Sequence, residues 1–369
     1  VQGVFTGPSE FHIFNTMKLC ERANLPFYTT EDIWKICSDK RLFKNLCNQN
    51  NVPSVSEYII NGDQKGELLD KNDYPVIVKP VDCGSSIGIS VCNSNKELEV
   101  AIDYALSFSK KKEVIVEKYI ENRGLVTNIR YIALDGDIHL SLLGDQYIVD
   151  PVDRTALITG VTVFPSMHTK LYLKKNNAKV MEMFRNLGVK NGSFFMQALP
   201  YNNEILIHEM GMRISGGLIY KITEPLNNLN DFKLMLNYAM GEKIDSEEVI
   251  NSIDIFLKGK TAIDLCIPLK HGVIKETHGI EKVKSEYDIV DFIQYYNIGD
   301  EIKKDYIGSL QQLFCRVKFI AENIDQAISI IEGIQNTISI IDSNNEDMIF
   351  MKFDVNRIKE NRDLYNSLQ

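Results

Sequence analysis

Two short runs constrain the fold of this chain more than anything else in it. Ser193-Phe-Phe-Met-Gln-Ala-Leu199 and Glu204-Ile-Leu-Ile-His-Glu-Met210 are both mostly apolar, and only Pro200-Tyr-Asn-Asn203 separates them. Such a pair reads as an antiparallel hairpin. A turn centred near residues 201 to 203 sets Gln197 opposite or diagonal to residues 207 and 209, and positions of equal parity across the pair share a face. Gln197 and Glu209 then point the same way from adjacent strands. Oxygen ligands so placed suit Mg²⁺, which takes a few protein oxygens and completes its octahedron with phosphates and water. They suit a polar, outward sheet face equally. His208, of opposite parity, reads as a structural or substrate-edge residue and not as a metal ligand.

The segment that follows, Met210-Gly-Met-Arg-Ile-Ser-Gly-Gly217, brings Arg213 onto the parity of Glu209 and adds a glycine pair that lets a ligand approach the backbone. A guanidinium fork suits a bidentate carboxylate or a transferring phosphoryl group, or an ordinary acidic neighbour. Upstream, Pro75-Val-Ile-Val-Lys-Pro80 reads as a strand in which Lys79 has a cost unless it meets an anion or reaches solvent at an edge. It leads into Asp82-Cys-Gly-Ser-Ser-Ile-Gly88, whose small residues leave backbone N–H groups free to wrap phosphates, although the loop lacks the Gly-Lys-Ser/Thr ending of a P-loop.

Around these segments the pattern predicts helices over 9–23, from Thr30, from Ser38-Asp39 and over about 95–109, with short strands at Pro26–Thr29 and Val114–Ile120. Leu42, Phe43, Leu46 and Cys47 form one apolar stripe of the third helix, and Lys40 and Lys44 lie four apart on another face. Lys110, Lys111 and Lys112 read as a solvated helix end. A first hairpin over 128–150 turns at Asp135-Gly136. Helices are expected over roughly 230–258, an Ile-rich helix near 325–336 and a closing strand around 348–353. Val1–Thr6 resembles the end of a strand entering a βα loop, so the chain is expected to start late in a longer protein.

Composition excludes several roles. Forty-one Lys and Arg against 50 Asp and Glu leave the 369 residues at a net −9, which disfavours nucleic acid or an anionic membrane as a partner. No apolar run is long enough to span a bilayer. Seven scattered cysteines without a CxxC pair argue against a disulfide framework and a structural zinc site, and point to a reducing cytoplasm.

Lys40 in Ser-Asp-Lys before a helix, Pro75–Pro80 leading into a glycine loop, Val114-Ile-Val-Glu-Lys-Tyr119, the Gln197 and Glu209 hairpin, and Arg213 occur here in the order seen in the ATP-grasp superfamily. The chain resembles its carboxylate-amine ligases, with glycinamide ribonucleotide synthetase, biotin carboxylase and the carbamoyl phosphate synthetase large chain as relatives. The resemblance implies an α/β protein with α+β lobes: a partial Rossmann-like N-terminal lobe and linker helix (1–52), a small lid (53–120), a large subdomain with the metal site (121–260) and a C-terminal α/β lobe (261–369).

It further implies Lys40 and Lys79 as ligands of the ATP phosphates, and the 82–88 loop, with Gly84, Ser85, Ser86 and Gly88, as the flap over them. Glu117, Lys118 and Tyr119 would read the adenine edge, Asn128 would contact the ribose, and Gln197 and Glu209 would hold Mg²⁺ or Mn²⁺. Arg213 and Lys79 would act on the acyl phosphate. Relatives carry Asn where Gly211 stands, so a second metal would have one ligand fewer. The implied function is ADP-forming ligation of a small carboxylate to an amine, in a cytoplasmic enzyme with a homodimer as its expected assembly. The alternatives are a biotin carboxylase type component and an ATP-binding module without catalysis.

Overall fold

A computed structural model describes residues 2–59, 69–84, 87–149 and 158–368. Three helices come first: α1 (Glu10–Ala23), α2 (Glu31–Ser38) and α3 (Lys40–Gln49). Each of the last two starts at a capping oxygen, as the sequence predicts: Thr30 Oγ1 accepts from Ile33 N, and Asp39 accepts from Arg41 N and Leu42 N. Pro26–Thr29 does not form a strand. Its Tyr28 is buried and donates its hydroxyl to Met212 O at 2.9 Å, so side-chain docking replaces the ladder that the residue types suggest.

The lid is a four-stranded antiparallel sheet of β1 (Glu57–Tyr58), β2 (Val76–Pro80), β3 (Ser90–Cys92) and β4 (Val114–Lys118), in the order β1-β4-β2-β3. Helix α4 (Asn95–Phe108) covers it through Leu98, Ala101 and Ala105 on Val76, Val78 and Val116.

The chain continues through β5 (Leu125–Leu134), β6 (Asp137–Ile148), β7 (Thr159–Phe164), β8 (Gly192–Tyr201), β9 (Glu204–Gly211) and β10 (Thr261–Pro268). It ends with β11 (Gly272–His278), β12 (Ile289–Gln294), β13 (Glu301–Ile302), β14 (Leu313–Ala321) and β15 (Ser339–Asp342). Eight of these form one antiparallel sheet, β12-β14-β10-β7-β6-β5-β8-β9, and three a small one, β13-β11-β15. Both expected hairpins are present, β5/β6 around Asp135-Gly136 and β8/β9 around Asn202-Asn203. A helix over Ala178–Leu187, outside the expected elements, packs Val180, Met183 and Phe184 on the large sheet. The expected strand at 348–353 is reduced to an isolated bridge at Ile349, followed by two short helices.

The two faces of the large sheet differ in kind. One face sends Ile129, Tyr131, Phe194, Met196, Ile263, Leu265, Val317 and Phe319 into the two largest hydrophobic clusters. Each such fully buried side chain contributes about 1.5–3 kcal/mol. Even the charge on this face is fully used, since buried Asp145 accepts from Ser166 Oγ (2.6 Å), Met167 N (2.7 Å), Tyr365 OH (3.0 Å) and Thr127 Oγ1 (3.2 Å), tying the C-terminal helix to the sheet. The other face carries Gln197, Asn128, Arg130, Gln146, Thr162, Asp264, Arg316 and Lys318, and it forms the floor of the site.

Candidate functional site

The lid meets the large sheet along β9. Val55 N donates to Ile207 O and Ile207 N to Pro53 O, so the segment before β1 runs beside that strand. Lys44, buried on α3, donates to Val55 O at 2.6 Å and to Glu117 Oε1. Lys79 donates to the other oxygen, Glu117 Oε2, at 2.7 Å. Glu117 thus lies between two ammonium groups with only 2% of its surface exposed. Burial alone would raise its pKa, but the charges of Lys79 and Lys44 overcome this and hold the carboxyl at about 2. For Lys44 the balance goes the other way: burial outweighs Glu117 and lowers its pKa.

Lys40, at the start of α3, donates its ammonium to Cys83 O, at the foot of the glycine loop. Asp82 anchors the same loop by accepting from Lys110 N at 2.9 Å and Lys111 N at 3.1 Å. Gly88 adopts φ +73°, and a Cβ there would lie 2.8 Å from Pro80 Cγ, so the loop returns to the sheet at a position only glycine fits. Gly84 lies at the open end, where a Cβ would meet nothing within 4 Å; Ser85 and Ser86 lie outside the described residues. The N–H groups of Lys118 and Tyr119 are bonded to Ser56 O and Pro75 O.

Gln197 and Glu209 are direct cross-strand partners, and Asn128 lies opposite Gln197 on its other side. Asn128 spends both ends of its amide within the sheet: Oδ1 accepts from Gln197 Nε2 at 3.2 Å, and Nδ2 donates to Gln146 Oε1 at 2.7 Å. Gln146 donates in turn to Thr159 Oγ1 at 2.6 Å. Every amide in this row donates toward Thr159, so Gln197 Oε1 is left as the acceptor at the Glu209 end. Asn128, expected at the ribose, orients Gln197 in this structure.

The register shifts at Gln197/Ala198, where Ala198 pairs with Ile207 and leaves His208 as the extra residue of a β-bulge. Ile205 and Ile207 enter the core before it, and Met210 and Met212 after it. His208 and Glu209 therefore both turn away from that core, and the expectation that they face opposite ways is corrected. Burial, followed by the charge of Lys79, lowers the His208 pKa to about 4. Glu209 would be raised by burial, but Lys40, His208, Lys79 and Arg213 together bring it below its ordinary value. The charges of Lys40, Lys79 and Arg213 thus all favour an ionised Glu209, while each of these side chains is bonded elsewhere.

Arg213 donates Nε to Glu10 Oε2 at 2.7 Å and lies 5.0 Å from the centre of the Phe195 ring. Trp34 Nε1 donates to Glu10 Oε1 at 3.1 Å. Phe195 also explains Gly211, its cross-strand partner: a Cβ on residue 211 would come within 2.7 Å of the ring. Glu10, Lys44, Phe195 and Arg130 were missed from the sequence. Arg130 carried a signal like that of Lys79, a charge within a strand, here between Ile129 and Tyr131.

Among the described residues no group of three or more His, Cys, Asp and Glu is placed to hold a metal ion. A pair such as Gln197 and Glu209 fits a hard cation that takes its other ligands from phosphate and water. The site thus joins a carboxylate-amide pair on the sheet to two lysines and a glycine loop of the lid. Several likenesses agree with it. Residues 55–143 match the family "D-ala D-ala ligase C-terminus". A D-alanine–D-alanine ligase of Solibacter usitatus is 33% identical over 115 residues, 30% of this chain and 34% of that one. The L-amino acid ligase of Bacillus licheniformis superposes with a TM-score of 0.74 at 22% identity, over 93% of this chain and 81% of that one. Phosphoribosylglycinamide synthetase of Anaerococcus prevotii gives 0.70 at 19%, over 93% and 83%. The chain has the ATP-grasp fold. Biotin carboxylases share the fold as well, such as that of Campylobacter jejuni, with a TM-score of 0.70 at 17% identity over 91% of this chain and 73% of that one. The chain spans only about a third of the length of the curated relatives it matches.

Proposed function

We propose that the protein is an ADP-forming ligase that uses ATP to join a carboxylate to an amine. The observation that carries this reading is the pairing of Glu209 with Gln197 across two strands of the sheet, with Lys40 held at the foot of the glycine loop and Lys79 on the neighbouring lid strand. A carboxylate oxygen attacks the γ-phosphorus of ATP, the bond to the β–γ bridging oxygen breaks, and ADP leaves. The amine then attacks the acyl phosphate, loses a proton and expels phosphate.

Catalysis here is positioning and charge neutralisation. Lys40 and Lys79 neutralise the phosphates under the 82–88 loop, and Glu117 with the Lys118 and Tyr119 carbonyls lines the adenine edge. Arg213 holds the acyl phosphate oxygens. Gln197 and Glu209 would hold Mg²⁺, which supplies charge to the phosphates when bound. Phe195 beside Gly211 favours one metal ion over two, and is the specific support for a second reading, an ATP-binding module without turnover. Among the described residues no helix is long and apolar enough to cross a membrane. We place the protein in the cytoplasm on its seven free cysteines.

Release of ADP and phosphate in a panel of carboxylates and amines tests both readings. The ligase requires turnover that depends on one member of each class together. MgATP binding without turnover supports the binding module, and turnover with bicarbonate and biotin supports a carboxylase. Lys79→Met should weaken MgATP binding on the order of tenfold or more, measured by calorimetry.

A further inference from the structure

The reaction described above leaves Arg130, Arg316 and Lys318 of this sheet face without a role, and of the three only Arg130 pairs with no carboxylate among the described residues. Arg130 stands on β5 two residues beyond Asn128, with Phe195 as its cross-strand neighbour. Only 9% of its surface is exposed, Nε is buried without a partner, and among the described residues its guanidinium makes no hydrogen bond or ion pair. A buried charge left in this state is costly, far more so than one that is paired and hydrogen-bonded.

Two carboxylates act on Arg130 without pairing with it. Asp264, fully buried, receives Arg316 Nε at 3.2 Å and lies 2.6 Å from Lys318 Nζ. Asp231 accepts from Ser193 Oγ at 3.0 Å and is attracted by Arg130 without an ion pair between them. Arg130, Arg316 and Lys318 therefore face two carboxylates, formally one positive charge in excess. The Ser215-Gly216-Gly217 loop closes over this group. A Cβ on Gly217 would lie 3.3 Å from Arg316 Nη2, and Ser215 Oγ is itself buried without a partner.

We propose that Arg130 anchors a carboxylate carried by a substrate, separate from the carboxylate that ATP activates. Its guanidinium offers a planar fork that matches a carboxylate bidentately. Its place next to Phe195, whose ring carries Arg213, sets that anchor one strand from Gln197 and two from Glu209. Either the amine-bearing substrate or a dicarboxylic acyl donor would present such a group. The chemical step rests on the ligase reading; the binding does not.

The test is calorimetry and thermal melting of the full chain with paired probes: glycine, L-alanine and D-alanine against their amides for the amine arm, and succinate against succinamate for the acyl arm. The wild type should prefer the carboxylate member of at least one pair by about tenfold or more, and that pair identifies the molecule. Arg130→Met should abolish the preference, and Arg130→Lys should keep part of it. A wild type that discriminates in no pair, or an Arg130→Met protein that binds the preferred probe as tightly, overturns the proposal. MgATP binding measured alongside reports on the ligase reading separately: its loss would sink that reading, while the paired probes alone decide the role of Arg130.

Discussion

Replacing Glu117 by Gln removes the one negative charge between Lys44 and Lys79 and nothing of comparable size. In the folded protein the carboxyl is held at about 2 against an ordinary 4.5, and a displacement of that size corresponds to about 3 kcal/mol of preference for the ionised form. Because the folded value is the lower one, this stabilisation is complete above pH 4.5 and is lost as pH falls toward 2. Burial of Lys44 offsets part of it, since that lysine's pKa is lowered by its surroundings. Against this stands the cost of what Glu117→Gln leaves behind, two buried ammonium groups sharing a neutral amide. Breaking a buried pair in this way costs about 3–5 kcal/mol. Urea denaturation at pH 7 should therefore show a midpoint well below that of the wild type at an unchanged slope, and the gap should narrow as pH is lowered from 4.5 toward 2. Adding Lys44→Met should recover much of the loss. Equal stability of Glu117→Gln and wild type at pH 7, or a gap that does not change with pH, would mean that the two lysines do not depend on this carboxylate.

Gly211→Asn should destabilise the protein by about 1–3 kcal/mol through its clash with Phe195, and a further Phe195→Ala should relieve it and raise the Mn²⁺ stoichiometry measured by electron paramagnetic resonance. Glu10→Gln should lower turnover by about tenfold while MgATP affinity stays constant, because it loosens Arg213 without touching the lysines; Glu10→Asp should retain more activity. His208, held at about 4, should remain neutral in an NMR titration down to about pH 5. Its folded value lies below its ordinary 6.5, so its contribution to stability is present above pH 6.5 and falls as pH drops toward 4.

Much of the architecture could be read from residue patterns because the pattern is local. Capping by Thr30 and Asp39, the turn at Asp135-Gly136 and the alternation of the two hairpins each depend on a few neighbouring residues. The shared face of Gln197 and Glu209 could be read from parity, but the turn at Asn202-Asn203 alone would set Gln197 opposite His208, and it is the bulge that makes Glu209 its direct partner. His208 was misplaced for the same reason, because parity fails across a bulge. The break was present in the sequence, where Ile205 and Ile207 give way to Met210 and Met212 as core positions, but a single assumed period of two passes over it. The partners of Glu117 and Arg213 were hidden for a different reason. Lys44 is 73 residues from Glu117, and Glu10 is 203 from Arg213, so only the assembled sheet and helices bring those charges together.

The chain contains one tryptophan, and it lies on the Glu10 carboxylate that steadies Arg213. Indole emission depends on the charge and hydrogen bonding around Nε1, so any ligand that draws Arg213 away from Glu10 changes the light this residue gives off. The protein therefore has a built-in optical reporter two contacts from the proposed reacting centre. A ligand that engages Arg213 should register in unlabelled protein through Trp34.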